Sequence, residues 1–334
     1  MLTSFNIQAE KIEKLKSCRL SVFGRLEKDI VCTFSGKTAL SLVLKYFRQN
    51  GTLSDKTGEV MVPSWLGGPV YMIMHKFCFP TVFYNKKVKV LMAYHQWGFP
   101  QDIDYLKDFC EDKKLVMIED CAHAFRSYYK GKRLGTFGQA AIFSFAKFFS
   151  SIAGGAIYSE DKKLKKFAER ELSQGEDKLS RKAFYHNFKV GRKPDKNNLI
   201  ELERYYAVYD RLGRCPAYSL NKVKSELAGE NNALARRKKN FFLLREAFKN
   251  CRRAELFSAD DILPWALPLF TRKGAEEKVV HSLKKINIIS GVYHFDVNKN
   301  MLKPKFERCV GLPCHQGLGE RELEDIIKAV KANI

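Results

Sequence analysis

The chain has 334 residues, 45% of them hydrophobic, which is enough for one large domain and a smaller one. No run approaches the roughly 20 apolar residues of a membrane span, and the first residues lack the pattern of a signal peptide. A cytoplasmic protein without a membrane span is therefore expected. The nine cysteines are scattered without a C-x-x-C pair, and Cys32, Cys78 and Cys121 fall in apolar runs. They are predicted to be reduced core thiols rather than disulfides or zinc ligands.

The formal net charge of +22 is large, with 59 basic and 37 acidic residues. Such a charge suits nucleic acid, an anionic membrane surface or a phosphate-bearing substrate. The basic residues are spread along the chain, for example over 86–89, 162–166 and 236–239, and form no recognisable nucleic-acid module. A solvated basic surface without a nucleic-acid partner is the favoured interpretation, with steering of anionic substrates as an additional role.

After a helical segment and connector over 1–27, short apolar runs typical of strands alternate with helical patterns. The predicted strands cover residues 29–34, 59–65, 81–84, 88–94 and 115–118, and the predicted helices between them cover 39–47, 70–76 and 102–113. This alternation predicts an α/β layer in which helices sandwich a mostly parallel sheet. Ligands of such sheets bind beyond the carboxyl ends of the strands.

The second half of the chain changes pattern twice. A helical, charged insertion is predicted over about 160–215, interrupted by a polar loop over 187–198, and a long helix over 219–248. The last segment is predicted to contain strands over 262–270 and 287–293, a helix over 275–285, a run over 308–315 and a helix from Glu320. The expected division is a large domain over 1–249 and a small C-terminal α+β domain over 250–334.

Polar groups follow several of these apolar runs. Asp120 follows one run, Ser144 and Lys147 follow another, and the turn 35–38, Ser-Gly-Lys-Thr, follows the first strand and precedes a helix. A carboxylate, a hydroxyl and an amine are the minimum set for holding pyridoxal 5'-phosphate (PLP), whose ring nitrogen, phosphate and carbonyl they would bind. The glycine turn adds backbone N–H groups at a helix start, which suit a phosphate.

Simpler explanations exist for each group. Asp120 alone could cap a helix, and an isolated lysine is usually a surface residue. The turn resembles the end of a Walker A motif, but that motif requires glycine where Val31 stands. Ser-x-x-Lys also occurs in penicillin-binding proteins and β-lactamases, but no Ser-Asp-Asn is present in this chain. No metal site is predicted.

Five segments resemble motifs of a known family. They are the phosphate loop 35–40, the Val-Pro-Ser-Trp of 62–65, the Ile-Glu-Asp-Cys-Ala-His-Ala of 118–124, the glycine-containing linker 130–138 and the Leu-Pro-Cys-His-Gln-Gly-Leu of 312–318. Together they are similar to motifs of the DegT-type (DegT/DnrJ) sugar aminotransferases, and the similarity covers most of the chain. These are fold-type I PLP-dependent enzymes that install amino groups on nucleotide-linked keto-sugars.

The resemblance implies a role for each matching residue. Lys147 would be the Schiff-base lysine and Asp120 the partner of the pyridine nitrogen, while Trp65 would stack on the ring and His123 would lie near the ring and its hydroxyl. The phosphate would be bound by Gly36, Ser144 and the backbone around Lys37 and Thr38. The resemblance also implies a homodimer with the active site at its interface. The substrates would be a nucleotide sugar and an amino-acid donor, expected to be glutamate, in amino-sugar and cell-surface polysaccharide biosynthesis.

Four departures from the family pattern leave a second hypothesis open. Ser144 and Lys147 are three residues apart instead of five, and the usual Gly-Glu-Gly-Gly is Ile-Ala-Gly-Gly over 152–155. The segment 217–219 is Ala-Tyr-Ser where the family has Asn-Tyr-Arg, and Lys37 replaces a threonine of the phosphate loop. The alternative is a degenerate member that binds PLP or a sugar nucleotide without turnover, as a scaffold or regulator.

Overall fold

The structure, a computed structural model, describes residues 28–54, 57–192, 196–230, 232–257 and 261–334. The helical segment predicted over 1–27 lies outside these residues. The strands are β1 (Ile30–Thr33), β2 (Glu59–Met61), β3 (Phe79–Thr81), β4 (Val88–Tyr94), β5 (Val116–Asp120), β6 (Tyr128–Tyr129), β7 (Lys132–Arg133), β8 (Ala140–Ser144), β9 (Gly155–Tyr158), β10 (Ala266–Leu269), β11 (Val292–Asp296) and β12 (Phe306–Pro313). The α-helices are α1 (Gly36–Gln49), α2 (Gly68–Met74), α3 (Ile103–Lys113), α4 (Lys162–Ser173), α5 (Asp177–Arg192), α6 (Lys196–Tyr206), α7 (Ala217–Leu227), α8 (Ala233–Ala247), α9 (Glu276–Lys285) and α10 (Glu320–Lys331).

The central sheet has the strand order β1-β9-β8-β5-β4-β2-β3. Strands β3, β2, β4, β5 and β8 pair in parallel, whereas β9 runs antiparallel to both β8 and β1. β5, β8 and β9 are buried almost without interruption, which is typical of strands covered on both faces. The predicted α/β layer with a mostly parallel sheet is confirmed.

The first helix begins at the turn that the sequence singled out. Ser35 caps α1, because its hydroxyl accepts a hydrogen bond of 3.1 Å from the Thr38 backbone N–H. The helix packs on β8 and β9. Gly155 at the start of β9 allows this close approach: a Cβ there would lie 2.4 Å from the Ser35 carbonyl carbon and 2.5 Å from the Gly36 nitrogen. The helix start is thus held directly against the ends of two strands.

A second, smaller sheet has the order β10-β12-β11 and is fully antiparallel. Helices α8, α9 and α10 pack with it around one apolar core. The boundary near residue 249 stays a prediction. Cys78 and Cys121 are buried thiols, as predicted, and Cys32 is half-buried. Among the helices of the described residues, none combines the length and the apolar composition of a membrane span.

Two predictions in the helical region are wrong. The long helix over 219–248 is two helices, because Ala228 is extended, Gly229 has a φ of +80° and the Asn232 side chain caps a new helix by accepting from Leu234 and Ala235. Leu220 and Val223 of α7 and Leu234 of α8 belong to one buried apolar cluster, so the apolar spacing continues through the break. The polar loop over 187–198 is largely helical, since α5 continues to Arg192 and α6 begins at residue 196.

Several strand bounds also differ from the prediction. β3 lies two residues before the predicted 81–84, and β11 begins five residues after the predicted start of 287–293. The backbone at Asn287 has a φ of +59°, which a strand does not allow. β10 covers only the end of the predicted 262–270, because the preceding residues lead toward the central sheet, where Trp265 N–H donates to the Trp97 carbonyl at 2.8 Å.

A buried carboxylate joins the ends of three central strands. Glu119 Oε2 accepts hydrogen bonds from His95 Nε2 at 3.1 Å and from Gly135 N–H at 2.8 Å. Its Oε1 accepts from Phe137 N–H at 2.7 Å and Gly138 N–H at 2.8 Å. Burial opposes ionisation of Glu119, but the His95 contact and the backbone donors outweigh it and lower the pKa. The carboxylate therefore fixes the end of β4 and the segment before β8 relative to β5.

We expect Gly155→Ala to destabilise the fold by about 2–3 kcal/mol, because all three nearest contacts of the added Cβ are backbone atoms that cannot move aside. Urea unfolding measures this change. Gly191→Ala is the matched control, since a Cβ at Gly191 meets no atom within 4 Å. An unchanged unfolding midpoint for Gly155→Ala would contradict the close packing of α1 on β9.

We expect Glu119→Gln to cost about 3–5 kcal/mol at neutral pH, because it removes the charge from a fully buried hydrogen-bonded pair. A lowered folded-state pKa contributes stability above the unfolded value of 4.5 that is lost as the pH falls. The difference between wild type and variant should therefore shrink in acid. Urea unfolding at neutral and acidic pH tests this, with the exposed Glu111→Gln as control. A difference that grew on acidification would exclude this account.

Candidate active site

The polar residues singled out from the sequence lie at one edge of the central sheet. Asp120 ends β5 and Ser144 ends β8, and these strands are parallel neighbours. The start of α1 lies beside them, since a Cβ at Gly36 would be 3.3 Å from the Ser144 Cβ. A short 3-10 turn from Phe145 carries the chain to Lys147. The structure therefore brings together the predicted carboxylate, hydroxyl, amine and glycine turn.

Asp120 is a buried carboxyl group, with 4% of its surface exposed. Its Oδ1 accepts a hydrogen bond of 2.9 Å from the Ala122 N–H, the one hydrogen bond of this side chain within the described part of the chain. Burial raises the pKa of Asp120, and the Ala122 N–H and the charges of His95 and Lys147 only partly offset this. The carboxyl group is therefore short of a positively charged partner.

Lys147 places an amine within electrostatic reach of Asp120. Burial of the amine among neighbouring groups lowers the pKa of Lys147, and the Asp120 charge opposes the shift. The Lys147 side chain is nevertheless exposed to solvent over part of its length. An amine with a lowered pKa that solvent can reach is suited to act as a nucleophile and to exchange protons.

His123 is held by its neighbours on both sides. Its Nδ1 lies 2.9 Å from the Tyr94 hydroxyl. Burial and the charges of Lys147 and Arg237 lower the pKa of His123 well below its usual value, whereas burial raises the pKa of Tyr94. Both groups are therefore neutral near pH 7, and the direction of the hydrogen bond between them follows the imidazole tautomer. When the tyrosine hydroxyl donates to Nδ1, Nε2 carries the proton and His123 offers an uncharged N–H donor at the site.

Trp265 is a site residue that the sequence did not reveal. Its ring stacks on His123 with centroids 4.9 Å apart and planes 15° apart, and the Lys147 amine lies 5.5 Å from its centroid. Trp265 precedes β10 of the second sheet. No sequence pattern indicates this contact, because the residues are more than 100 positions apart and Trp265 is predicted only as part of an apolar strand.

The glycine turn presents backbone rather than side-chain donors. The Gly36 and Lys37 N–H groups are the first of α1, which have no acceptors within the helix. The Thr38 hydroxyl is already used, because it donates to the Tyr209 carbonyl at 2.9 Å. The Thr38 backbone N–H donates to the Ser35 hydroxyl. The turn can bind an anion through its backbone N–H groups, while the Thr38 hydroxyl joins the turn to Tyr209.

Trp65 follows β2 and is 51% exposed, with its ring 5.5 Å from the ring of His294. It lines a small pocket with Tyr94, the residue that bonds to His123. The indole thus stands at the edge of the site with a face available for contact. The other cofactor residue of the sequence prediction, Ser144, is half-buried at the end of β8.

Arg237 corrects the interpretation of residues 236–239 as a solvated basic surface. It is 2% exposed and lies 4.8 Å over the Phe148 ring. Its guanidinium donates to the Trp265 carbonyl at 3.1 Å, to Gln316 Oε1 at 3.1 Å and to the Lys147 carbonyl at 3.4 Å. It therefore ties the Lys147 turn to the second sheet and to the 312–318 segment.

An open cleft of about 510 Å³ begins at Lys147. Most of the polar residues that line it carry basic, imidazole or amide groups, and these are Lys147, Lys222, Arg236, Arg237, His315 and Gln316. Glu226 is an acidic residue of the same lining. Glu226 is engaged by the Ser150 N–H and the Gln316 amide. The cleft is suited to an anionic ligand of moderate size.

His95, Glu119 and Cys121 place three ligand atoms within 4.8 Å of one another. His95 uses both ring nitrogens, since Nδ1 accepts from the Gln101 N–H at 3.2 Å and Nε2 bonds to Glu119. Burial raises the pKa of Cys121, which favours the neutral thiol. Hydrogen bonding explains this cluster, and the absence of a metal ligand set stays a prediction.

Known proteins resemble the chain in sequence and in fold. It is 41% identical over 82 residues to GDP-perosamine synthase of Escherichia coli O157:H7, a match covering 24% of this chain and 22% of that protein. The corresponding match in Vibrio cholerae is 44% over 77 residues, 22% of this chain and 21% of that protein. These matches span about a fifth of the length of the curated relatives.

Solved structures resemble the whole described fold. The PLP form of Spr1654 from Streptococcus pneumoniae has a TM-score of 0.66 at 18% identity, covering 93% of this chain and 90% of that one. PseC of Helicobacter pylori, an aminotransferase involved in the biosynthesis of pseudoaminic acid, has a TM-score of 0.64 at 15% identity, covering 91% and 86%. At these identities the likeness shows the fold, and the predicted fold-type I class is confirmed.

A family model extends the match along the chain. The model described as the DegT/DnrJ/EryC1/StrS aminotransferase family matches residues 83–331. This range contains Asp120, Ser144 and Lys147, and it ends within α10. Since the match covers well over half of the sequence, the chain belongs to the DegT/DnrJ/EryC1/StrS aminotransferase family.

Proposed function

We propose that the protein is a PLP-dependent aminotransferase that acts on a nucleotide-linked keto-sugar, with glutamate as amino donor. The observation that carries this proposal is the convergence of Lys147, the buried Asp120 and the backbone of the α1 start at one sheet edge. Membership of the family supports it, as do the PLP and PMP forms of a structural neighbour. A homodimer with the site at its interface and a location in the cytoplasm are part of the proposal.

The residues of the site fit the cofactor. The close contact of Gly155 with the α1 start leaves the Gly36 and Lys37 N–H groups and the Ser144 hydroxyl at one place, where a phosphate would be bound. Asp120, whose pKa is raised by burial, would pair with the protonated ring nitrogen. Trp65 would cover one face of the ring. When bound, PLP supplies the carbonyl that exchanges the amino group and a ring that withdraws electrons from the reacting carbon.

The chain's own residues perform the remaining steps. Lys147 Nζ would take a proton from the reacting carbon of the donor and release it to the cofactor carbon that receives the amino group, because its lowered pKa makes the neutral amine accessible. His123 would donate a ring N–H to the hydroxyl oxygen of the cofactor. Trp265 stacks on His123 and lies 5.5 Å from the Lys147 amine, so it helps to fix the positions of both groups.

The cleft beside Lys147 supports an anionic sugar nucleotide as substrate. Lys222, which pairs with Glu226 at 3.7 Å, and Arg236 lie along its wall, where a diphosphate would find cations. His315 lies there as a neutral imidazole, because burial lowers its pKa. The names of several relatives point to the same class, among them GDP-perosamine synthase and a dTDP-linked sugar 4-aminotransferase of Saccharopolyspora spinosa, 35% identical over 94 residues. The donor carboxylates would use the same positive surface.

The second candidate, a binding protein without turnover, rests on the altered segment around Lys147. The family glutamate before Gly154 is Ala153, and Ile152 takes the left-handed conformation with a φ of +65°, which is unusual for a β-branched residue. Only a three-residue 3-10 turn joins Ser144 to Lys147. These changes alter the backbone segments on either side of Lys147 but leave its amine in place. An activity assay therefore decides between an aminotransferase and a binding protein without turnover.

We expect the protein to transfer the amino group of glutamate to a nucleotide keto-sugar, and Lys147→Ala to lower the rate by about a thousandfold because the proton-transferring amine is lost. Borohydride should fix PLP to Lys147, as peptide mapping would show. Lys107→Ala, an exposed lysine of α3, is the control. Equal behaviour of wild type and Lys147→Ala against a full substrate panel would support the binding protein instead.

We expect Asp120→Asn to lower kcat by about a hundredfold or more, because a neutral amide cannot keep the ring nitrogen protonated. The amide oxygen can still accept from Ala122, so the cofactor-free protein should keep or gain stability when this poorly solvated carboxyl group is removed. Steady-state kinetics and urea unfolding measure the two effects. A loss of stability that matched the loss of rate would show that Asp120 acts on the fold instead.

A further inference from the structure

Lys37 stands where the phosphate loop gives way to α1. It is the second residue of the helix, next to the Gly36 N–H that opens the proposed phosphate site. Its amine lies 4.3 Å from the ring centroid of Tyr206 and 4.6 Å from that of Tyr209. Two aromatic faces hold a cation in a defined place and reduce its freedom. The amine is therefore positioned rather than free in solvent.

The two tyrosines come from the helical region after the central sheet. Tyr206 ends α6, and Tyr209 begins the following 3-10 turn, which packs on α1. The Tyr209 carbonyl accepts from Thr38, and its hydroxyl donates to Asn187 of α5 at 3.2 Å. The α5–α6 region thereby fixes the side chain that stands over Lys37.

The charges around Lys37 leave it without an anionic partner. No carboxylate within the described ranges lies at ion-pairing distance from its amine, and the nearby Asp210 is paired with Lys76 at 2.5 Å. The other titratable groups that face it are Tyr206, Tyr209 and Lys147, with Glu203 acting on Tyr206. Burial, followed by the charge of Lys147, lowers the pKa of Lys37 to about 8. Burial raises the pKa of both tyrosines, so they stay neutral.

We propose that the Lys37 ammonium, held between Tyr206 and Tyr209, binds the cofactor phosphate and gives the site its preference for the phosphorylated cofactor. This inference rests on the proposed function. The charge of Lys147 disfavours the Lys37 ammonium, and a bound anion would offset this repulsion. A charged donor from the same chain also strengthens a site whose other donors are neutral N–H and O–H groups.

The proposal sets an upper pH limit on cofactor affinity. A bound phosphate dianion raises the pKa of Lys37, so binding above about pH 8 requires the uptake of one proton. The preference for phosphate is greatest near pH 7, where Lys37 is charged and the phosphate is mostly a dianion, and it falls as the pH rises through about 8. A lysine that only packed between the tyrosines would give no such dependence.

The experiment compares the dissociation constants of pyridoxal 5'-phosphate and pyridoxal, which lacks the phosphate, by absorbance titration of the full chain. The ratio of the two constants cancels effects on the Lys147 amine, because both compounds react with it. We expect Lys37→Met to lower the preference for the phosphorylated compound about ten- to a hundredfold. The wild-type ratio should fall between about pH 7 and about pH 9.5, and the Lys37→Met ratio should stay flat.

Lys37→Arg is the decisive second variant, because it keeps the charge but does not titrate in this range. It should retain most of the preference and lose the pH dependence. Tyr206→Phe keeps the aromatic face and should behave like wild type, whereas Tyr206→Leu should weaken the preference in part. Lys45→Met, an exposed lysine on the outer side of α1, is the control for loss of charge alone.

Three results would overturn the inference. Equal ratios in Lys37→Met and wild type, with wild type binding PLP, would exclude the phosphate contact and leave the proposed function intact. A Lys37→Arg ratio as low as that of Lys37→Met would show that charge is not the cause. Binding of neither compound by wild type would overturn both the inference and the proposed function.

Discussion

The candidate site depends on the ionised, fully buried Glu119. Its two oxygens accept from His95 after β4 and from three backbone N–H groups of the segment that leads into β8. The neighbouring residue is Asp120, so the same strand end that receives these donors also carries the site carboxyl group. Charge-assisted hydrogen bonds of this kind are worth more in a low-dielectric interior, provided that every partner is present. The hydrogen bonds of Glu119 are supplied within the fold, whereas the neighbouring Asp120 accepts a hydrogen bond from the Ala122 N–H.

Glu119 and Asp120 differ in how well their charge is compensated, and the nearby lysines Lys37 and Lys147 also have shifted pKa values. Glu119 is surrounded by donors, and its pKa is lowered, whereas Asp120 has a single N–H partner and a raised pKa. Lys37 and Lys147 lie near each other with lowered pKa values and aromatic neighbours. Uncompensated charges of both signs within one region mark a functional site better than any single shifted group.

The sequence was informative where function depends on local position. The sequence predicted that Asp120, Ser144 and Lys147 lie close together, because they follow strands and parallel strands end at the same edge of a sheet. This prediction does not depend on how the helices pack. The break at Gly229 could have been predicted, because a glycine followed by a capping asparagine is a helix boundary signal. The apolar spacing continues through the break and favoured a single helix instead. The inward turn of Thr38 and the contacts of Trp265 and Arg237 could not be predicted, since they join segments tens to hundreds of residues apart.

The buried Arg237 has a consequence for how the protein is made. It links the Lys147 carbonyl, 90 residues earlier in the chain, to Gln316, 79 residues later. Contacts of such sequence separation form late in folding, because the entropy of closing long loops must first be overcome. The 312–318 segment is also among the last parts of the chain to be synthesised. A chain interrupted before this segment therefore lacks the Gln316 contact of the arginine that donates to the Lys147 carbonyl.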